Sequence, residues 1–173
     1  QATASPAPQS LQDSNTTRFE VLYKQGAHQE LSALCEEVTK QKPSQSAEPG
    51  AFASHCEAQL WWIRCQMAQK HLPASILAAP LQAATEDVGK LGASVPASLK
   101  ALCLELVCEL ADSVKDRHIA VTLLEKGWKI DSSLAPKLKS LVVSAIEDEE
   151  RLPAFERRRN AKRRDYLNSL LNS

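Results

Sequence analysis

Five cysteines and four histidines are the residues of this 173-residue chain that could hold a metal ion or pair a nucleophile with a base. Structural zinc needs ligands grouped so that four can converge, usually as C-x-x-C or H-x-x-x-H pairs. Neither spacing occurs here. His55 and Cys56 are adjacent and would diverge on a helix, while Cys103 and Cys108 would lie about 140 degrees apart around one, so neither pair can face a common ion. A catalytic thiolate at Cys35 or Cys56 would need a base delivered by the fold, and no local signature accompanies either residue. Glycine-rich phosphate loops and G-x-S-x-G are absent, and the carboxylate cluster EDEE at Glu147 to Glu150 suits a solvated helix end. The expectation is a non-catalytic chain without a cofactor or metal, whose thiols are buried and inert.

The strongest chemical signal is electrostatic and lies in the C-terminal ERRRNAKRRDYLNSLLNS. On a helix, Arg157, Arg158, Arg159, Lys162, Arg163 and Arg164 fall at about 0, 100, 200, 140, 240 and 340 degrees, so positive charge nearly encircles it and no face there can enter a core. Beyond the run, Tyr166, Leu167, Leu170 and Leu171 form a small apolar patch at helical spacing. Three readings follow. The tail is a solvated helix partly neutralised by EDEE, or it docks a partner through the leucines while the arginines match an acidic surface. Alternatively, it meets nucleic acid, an anionic membrane or a nuclear-import receptor. Against nucleic acid stand the lack of base-stacking aromatics near the charge and a chain otherwise balanced at 21 basic and 21 acidic residues. A further contact candidate is the pair Trp61-Trp62. Consecutive helical residues point about 100 degrees apart, and Ile63 and Met67 put Trp62 nearer the middle of the apolar arc, so Trp61 is the one expected at a partner surface.

The elements that must position these residues are helical. Ala, Leu, Glu, Lys and Gln dominate, only five glycines are present, and neither alternating strand patterns nor Asn-Gly or Asp-Gly hairpin turns occur. Residues 1 to 16, rich in Ala, Pro, Ser and Gln, read as a flexible linker. Thr16 or Thr17 can cap a first helix carrying Phe19, Leu22 and Tyr23; Gly26 interrupts it; and Leu31, Leu34, Cys35 and Val38 mark a second helix that ends before Pro43. Cys56, Leu60, Ile63 and Met67 mark a third. Pro73 and Pro80 predict only a short or broken helix through ASILAAPLQAATEDV. Leu99, Leu102, Leu106, Leu110 and Val114 make the cleanest stripe. Ile119 to Trp128 follow it, then a helix capped by Ser132 or Ser133, and a last helix over Ala154 to about Leu171. The total is about seven helices.

The inter-helix turns near Gly26, His71 and Lys115 are roughly forty-five residues apart, which suggests one helical-hairpin unit used three times. YKQGAHQELSALCEEVTKQKP resembles the turn and second helix of a tetratricopeptide repeat, through Tyr23, Gly26, Glu30 and Pro43. DRHIAVTLLEKGWKID is similar through Ala120, Leu124, Gly127 and Asp131. The departures are Leu31 and Val38, where that family uses small residues, and a period longer than its usual thirty-four. The resemblance implies stacked antiparallel helical hairpins, an α-solenoid over residues 17 to 152 followed by a basic helix at 153 to 173. It also implies a surface that holds a protein or peptide partner within a larger assembly, with no small-molecule substrate.

Scattered cysteines in helical segments favour a reducing compartment such as the cytoplasm. The chain begins at Gln1, so it reads as a processed product or a piece of a longer, conceivably membrane-tethered, parent.

Overall fold

The computed structural model describes residues 17–173, and the linker expected at residues 1 to 16 lies outside the described residues. Among those described, the chain is all-α, with no strand. Helix α1 occupies 17–24, and α2 His28–Thr39, α3 Pro49–Gln69, α4 Ala74–Lys90 and α5 Ala97–Ser113 follow. Then come α6 Arg117–Ile130, α7 Ala135–Glu150, α8 Ala154–Arg159 and α9 Ala161–Leu171. That is nine helices among the described residues rather than about seven.

The first turn forms where glycine permits it. Gly26 adopts φ +73°, a conformation a Cβ disfavours, and the N–H groups of Gly26 and Ala27 donate to the Tyr23 and Leu22 carbonyls at 3.0 Å, closing α1. Side chains then choose the entries to α6 and α7. Asp116 Oδ1 accepts the His118 N–H at 2.9 Å, capping α6. Asp131 does the same for the Ser133 N–H at 2.9 Å, in the short 3₁₀ turn Ser132–Leu134 ahead of α7. Asp131 thus takes the capping role expected of Ser132 or Ser133.

A break expected at one proline is absent, and an unexpected one occurs elsewhere. Pro80 does not break α4, which runs unbroken through it. A proline inside a helix removes one hydrogen bond at a cost of about 3 kcal/mol. Here Leu77, Ala78, Leu81, Ala84 and Val88 bury one face of α4 against α3, α5 and α6, and that burial outweighs the loss. The break appears instead at Asn160, which separates α8 from α9 inside the segment expected to be one helix.

Packing is sequential. Each extensive contact among α2 to α9 joins chain neighbours or next-but-one helices: α2 on α3, α3 on α4 and α5, α4 on α5 and α6, α6 on α5 and α7, α7 on α9. Ion pairs span next-but-one helices too. Arg64 meets Glu105 at 3.1 Å between α3 and α5, Lys126 meets Glu86 between α6 and α4, and Lys137 meets Asp112 at 3.1 Å between α7 and α5. Exposed pairs of this kind contribute about 0 to 1 kcal/mol each, so they select the register more than they hold the stack together. The core supplies the stability, with Leu31, Leu60, Leu81, Leu106, Leu123 and Leu124 all at 0% exposure.

Gly127 is the tightest point in that core. A Cβ there would sit 2.8 Å from Leu134 Cδ1 and 3.1 Å from Val107 Cγ1, so any larger residue must displace both side chains where α6 meets α5 and the turn leading into α7. Gly89, in contrast, has room: its added Cβ would meet only Ile130 Cγ1, at 3.9 Å. Gly127→Ala is therefore expected to lower unfolding stability by about 1–3 kcal/mol, while Gly89→Ala leaves it unchanged or raises it by up to about 1 kcal/mol. Urea denaturation of both variants checks the contrast.

Candidate interaction surface

Helix α9 docks by its apolar side. Leu167 is 1% exposed and Leu170 8%, so both are inside the molecule and cannot anchor a partner as expected. The apolar patch expected beyond the basic run is present, but it is covered by the chain's own α7. Tyr166 is half-buried, its hydroxyl hydrogen-bonded to the Glu125 carboxylate on α6 and its ring edge-on to His118 at 6.0 Å. Burial, reinforced by Glu125, pushes the Tyr166 hydroxyl above its ordinary pKa. Burial lowers the pKa of His118, and the nearby Arg163 adds to the effect. Leu171 remains partly exposed.

The basic run divides in two. Arg163 pairs with Glu149 at 3.4 Å and Arg164 with Glu150 at 3.7 Å, while Arg117 and Arg151 share Asp148 at 3.1 and 3.8 Å. The acidic cluster at the end of α7 therefore neutralises the inner side of α9 and its surroundings. Arg157, Arg158, Arg159 and Lys162 are exposed and have no acidic partner among the described residues. A recess of about 420 Å³ at the α8–α9 break is lined by Arg157, Arg158 and Arg164, with Asp165 at its edge.

Beside these cations stands a residue that sequence reasoning passed over. Phe155, in the first turn of α8, is 68% exposed, the most exposed of the large apolar side chains among the described residues. The signal was present: a phenylalanine two positions before an arginine run, on a helix that cannot bury that run, has nowhere to hide. It also supplies the aromatic that was missing beside the charge.

Trp61 is 6% exposed, so it is not a surface anchor. Its ring packs against Tyr23 of α1 at 5.6 Å, and the Arg64 guanidinium lies 5.5 Å from its centroid. Trp62 is the half-exposed member of the pair, and its indole N–H donates to Glu36 Oε1 on α2 at 3.2 Å. The helical-wheel argument failed because α3 is covered on several sides: α2, α4 and α5 pack on it and Tyr23 of α1 reaches it, so no single arc marks its interior.

Cys35, Cys56, Cys65 and Cys103 are buried, and Cys108 is half-buried. Burial pushes the thiols of Cys35 and Cys56 up to about 12, and those of Cys65 and Cys103 up to about 11. Among the described residues no three His, Cys, Asp or Glu side chains converge to hold a metal ion, and none of the helices is long and apolar enough to cross a membrane. No family model, curated protein or solved structure matches the chain.

A thiol whose pKa lies near 11 or 12 stays protonated at pH 8 and reacts slowly through its thiolate. Under native conditions at pH 8, a maleimide is expected to modify Cys108 first and the other four only after denaturation. Mass spectrometry of tryptic peptides over time tests this, and rapid native labelling of Cys35 or Cys56 would be the contrary result.

Proposed function

We propose that this chain is a non-catalytic protein-interaction module, an α-solenoid of hairpins α1–α2, α3–α4 and α5–α6 closed by α7 to α9. Partners are held on its surface. Three features support the solenoid: turns close to the predicted positions, extensive packing chiefly between near neighbours in the chain, and ion pairs linking next-but-one helices.

The observation that carries the interaction reading is the outer face of α8 and the start of α9. There Phe155 stands exposed beside Arg157, Arg158, Arg159 and Lys162, none of which has an acidic partner among the described residues. An exposed aromatic next to unpaired guanidinium groups is the composition of an interface hot spot, with the ring as anchor and the arginines donating paired hydrogen bonds to carboxylates. The chain's own Arg163–Glu149 and Arg164–Glu150 pairs are the same chemistry turned inward. The preferred partner is accordingly a protein segment rich in Asp and Glu.

The test keeps the fold intact, because every altered side chain is exposed. A variant combining Phe155→Ser with Arg157→Glu, Arg158→Glu and Arg159→Glu is expected to keep the parent's thermal unfolding curve. It is also expected to lose at least tenfold in recovery of partners captured by the parent. Equal recovery by parent and variant would remove this face from the interaction. Truncation after Leu152 is a coarser comparison, since it also uncovers the α7 surface under Leu167 and Leu170.

The same exposed Phe155 favours a second reading, single-stranded nucleic acid stacked on the ring with its phosphates on the arginines. An anionic membrane would use the same cations with Phe155 at the interface. If nucleic acid is the partner, log affinity for an oligonucleotide falls with log salt at a slope of about −3, corresponding to four phosphate contacts on a single strand. Fluorescence anisotropy with a labelled oligonucleotide between 50 and 300 mM salt, roughly the range over which counterion release is read, distinguishes this from no binding. Vesicle sedimentation does so for the membrane.

A further inference from the structure

Adjacent basic residues occur at two places in the chain, Arg157-Arg158-Arg159 and Lys162-Arg163-Arg164. Endoproteases whose specificity pocket ends in a carboxylate read such residues, provided the chain around them can be drawn out as an extended strand. Burial and hydrogen bonding of the backbone decide whether it can. From Pro153 to Asp165 no residue is buried, and no apolar side chain packs against the core. Helix α8 lies wholly inside that stretch. It has six residues, bounded by Pro153 and Asn160, its contacts are chiefly with α9, and its side chains make no ion pair among the described residues. A helix so short has little stability of its own in water. Opening it breaks a few backbone bonds, among them the Arg157 N–H to the Pro153 carbonyl at 3.0 Å and the Asn160 N–H to the Glu156 carbonyl at 2.9 Å, and pulls nothing out of the core.

Basic residues at the other turns are better held. Lys70 is flanked by Met67 and Leu72, and Lys115 by Val114, all packed against the core. Lys40 follows Val38, also packed there, and the loop beyond it is tied to α4: both oxygens of Asp87 hold Lys42 at 2.9 Å, and the Gln45 amide donates to the Lys90 carbonyl. Arg151 follows the buried Glu149, and its N–H donates to the Glu147 and Asp148 carbonyls at 3.2 Å. Arg163 and Arg164 are engaged by Glu149 and Glu150, and extending the chain there would withdraw Leu167 from the interior. Exposure, weak tethering and paired arginines therefore coincide at α8.

We infer that α8 is a cleavage site for an endoprotease that reads paired arginines, cut after Arg158 or Arg159. Hydrolysis breaks the amide C–N bond, and water supplies a hydroxyl to the new carboxylate and a proton to the new amine. The fold survives the cut, because Leu167 and Leu170 remain buried and Arg163, Arg164 and Tyr166 keep their partners Glu149, Glu150 and Glu125. Cleavage parts Phe155 from Lys162 and sets a new carboxylate among the arginines. Loss of the outer face by this route rests on the interaction reading above, whereas the cut itself is read on the free chain with no partner present.

Two probes are used on the native full chain, trypsin at low ratio and a subtilisin-like protease specific for paired basic residues, with products identified by intact mass. Trypsin is expected to cut first after Arg157, Arg158 or Arg159, and the second protease after Arg158 or Arg159. The C-terminal piece stays with the body of the molecule in gel filtration. Arg157→Gln combined with Arg159→Gln, both at exposed positions, leaves Arg158 as a single arginine. Tryptic cleavage after Arg158 then continues, while the paired-basic protease slows by about tenfold or more. A first cut outside α8 by either protease, a native parent that the paired-basic protease leaves whole, equal cleavage of parent and variant by that protease, or a C-terminal piece that elutes separately would each overturn the inference.

Discussion

The close approach of α6 to α5 at Gly127 sets the direction of everything after it. Val107 and Leu134 occupy the space a Cβ would need, so α6 lies flat on α5, and the turn into α7 starts hard against both. From that start α7 runs back along α6, Leu138, Val142 and Ala145 bury their side chains, and the far end of α7 delivers the carboxylates of Glu149 and Glu150 to the place where α9 arrives. Leu167 and Leu170 then close α9 onto α7. Arg157 to Lys162 lie beyond the reach of those carboxylates, on the exposed side of α8 and the start of α9.

Charge follows the same geometry. A chain with equal numbers of acidic and basic residues has no long-range pull on a partner, and its local fields depend on which charges find each other inside the molecule. Here α7 spends its acidic end on Arg117, Arg151, Arg163 and Arg164. The neutral total therefore hides an asymmetric surface: cations left over at α8, and a carboxylate left over at Glu36 beside Trp62. Surface pairs of this kind contribute little to stability, so their main effect is to decide which charges remain available.

Much of the helical layout was legible because it is written in local chemistry. Gly26 marks a turn between two apolar stripes, Pro43 ends α2 within a few residues, and the leucine stripe of α5 has one face. The break at Asn160 and the cap at Asp131 are local misreadings, while the others involve a tertiary surface that local pattern does not report. Pro80 is tolerated because α4 is held on three other helices. Trp61 is interior because Tyr23, from α1, covers it. Leu167 and Leu170 are interior because an acidic helix end cancels the charge beside them. Phe155 is the exception: its exposure followed from the arginines alone and was readable.

The distribution of unmet valence also bears on what kind of protein this is. Thiols that might have done chemistry are enclosed in apolar surroundings that hold them protonated, so their reactivity is suppressed by the same packing that makes them good core residues. The groups left over at the surface are of another sort: guanidinium groups and an aromatic exposed at α8. Such groups form hydrogen bonds, ion pairs and stacking contacts, and they need no proton transfer or bond cleavage to be satisfied. A folded chain tolerates a few unpaired polar atoms only where something compensates. At α8 that compensation is water in the free chain and, on the proposed reading, the carboxylates of a partner.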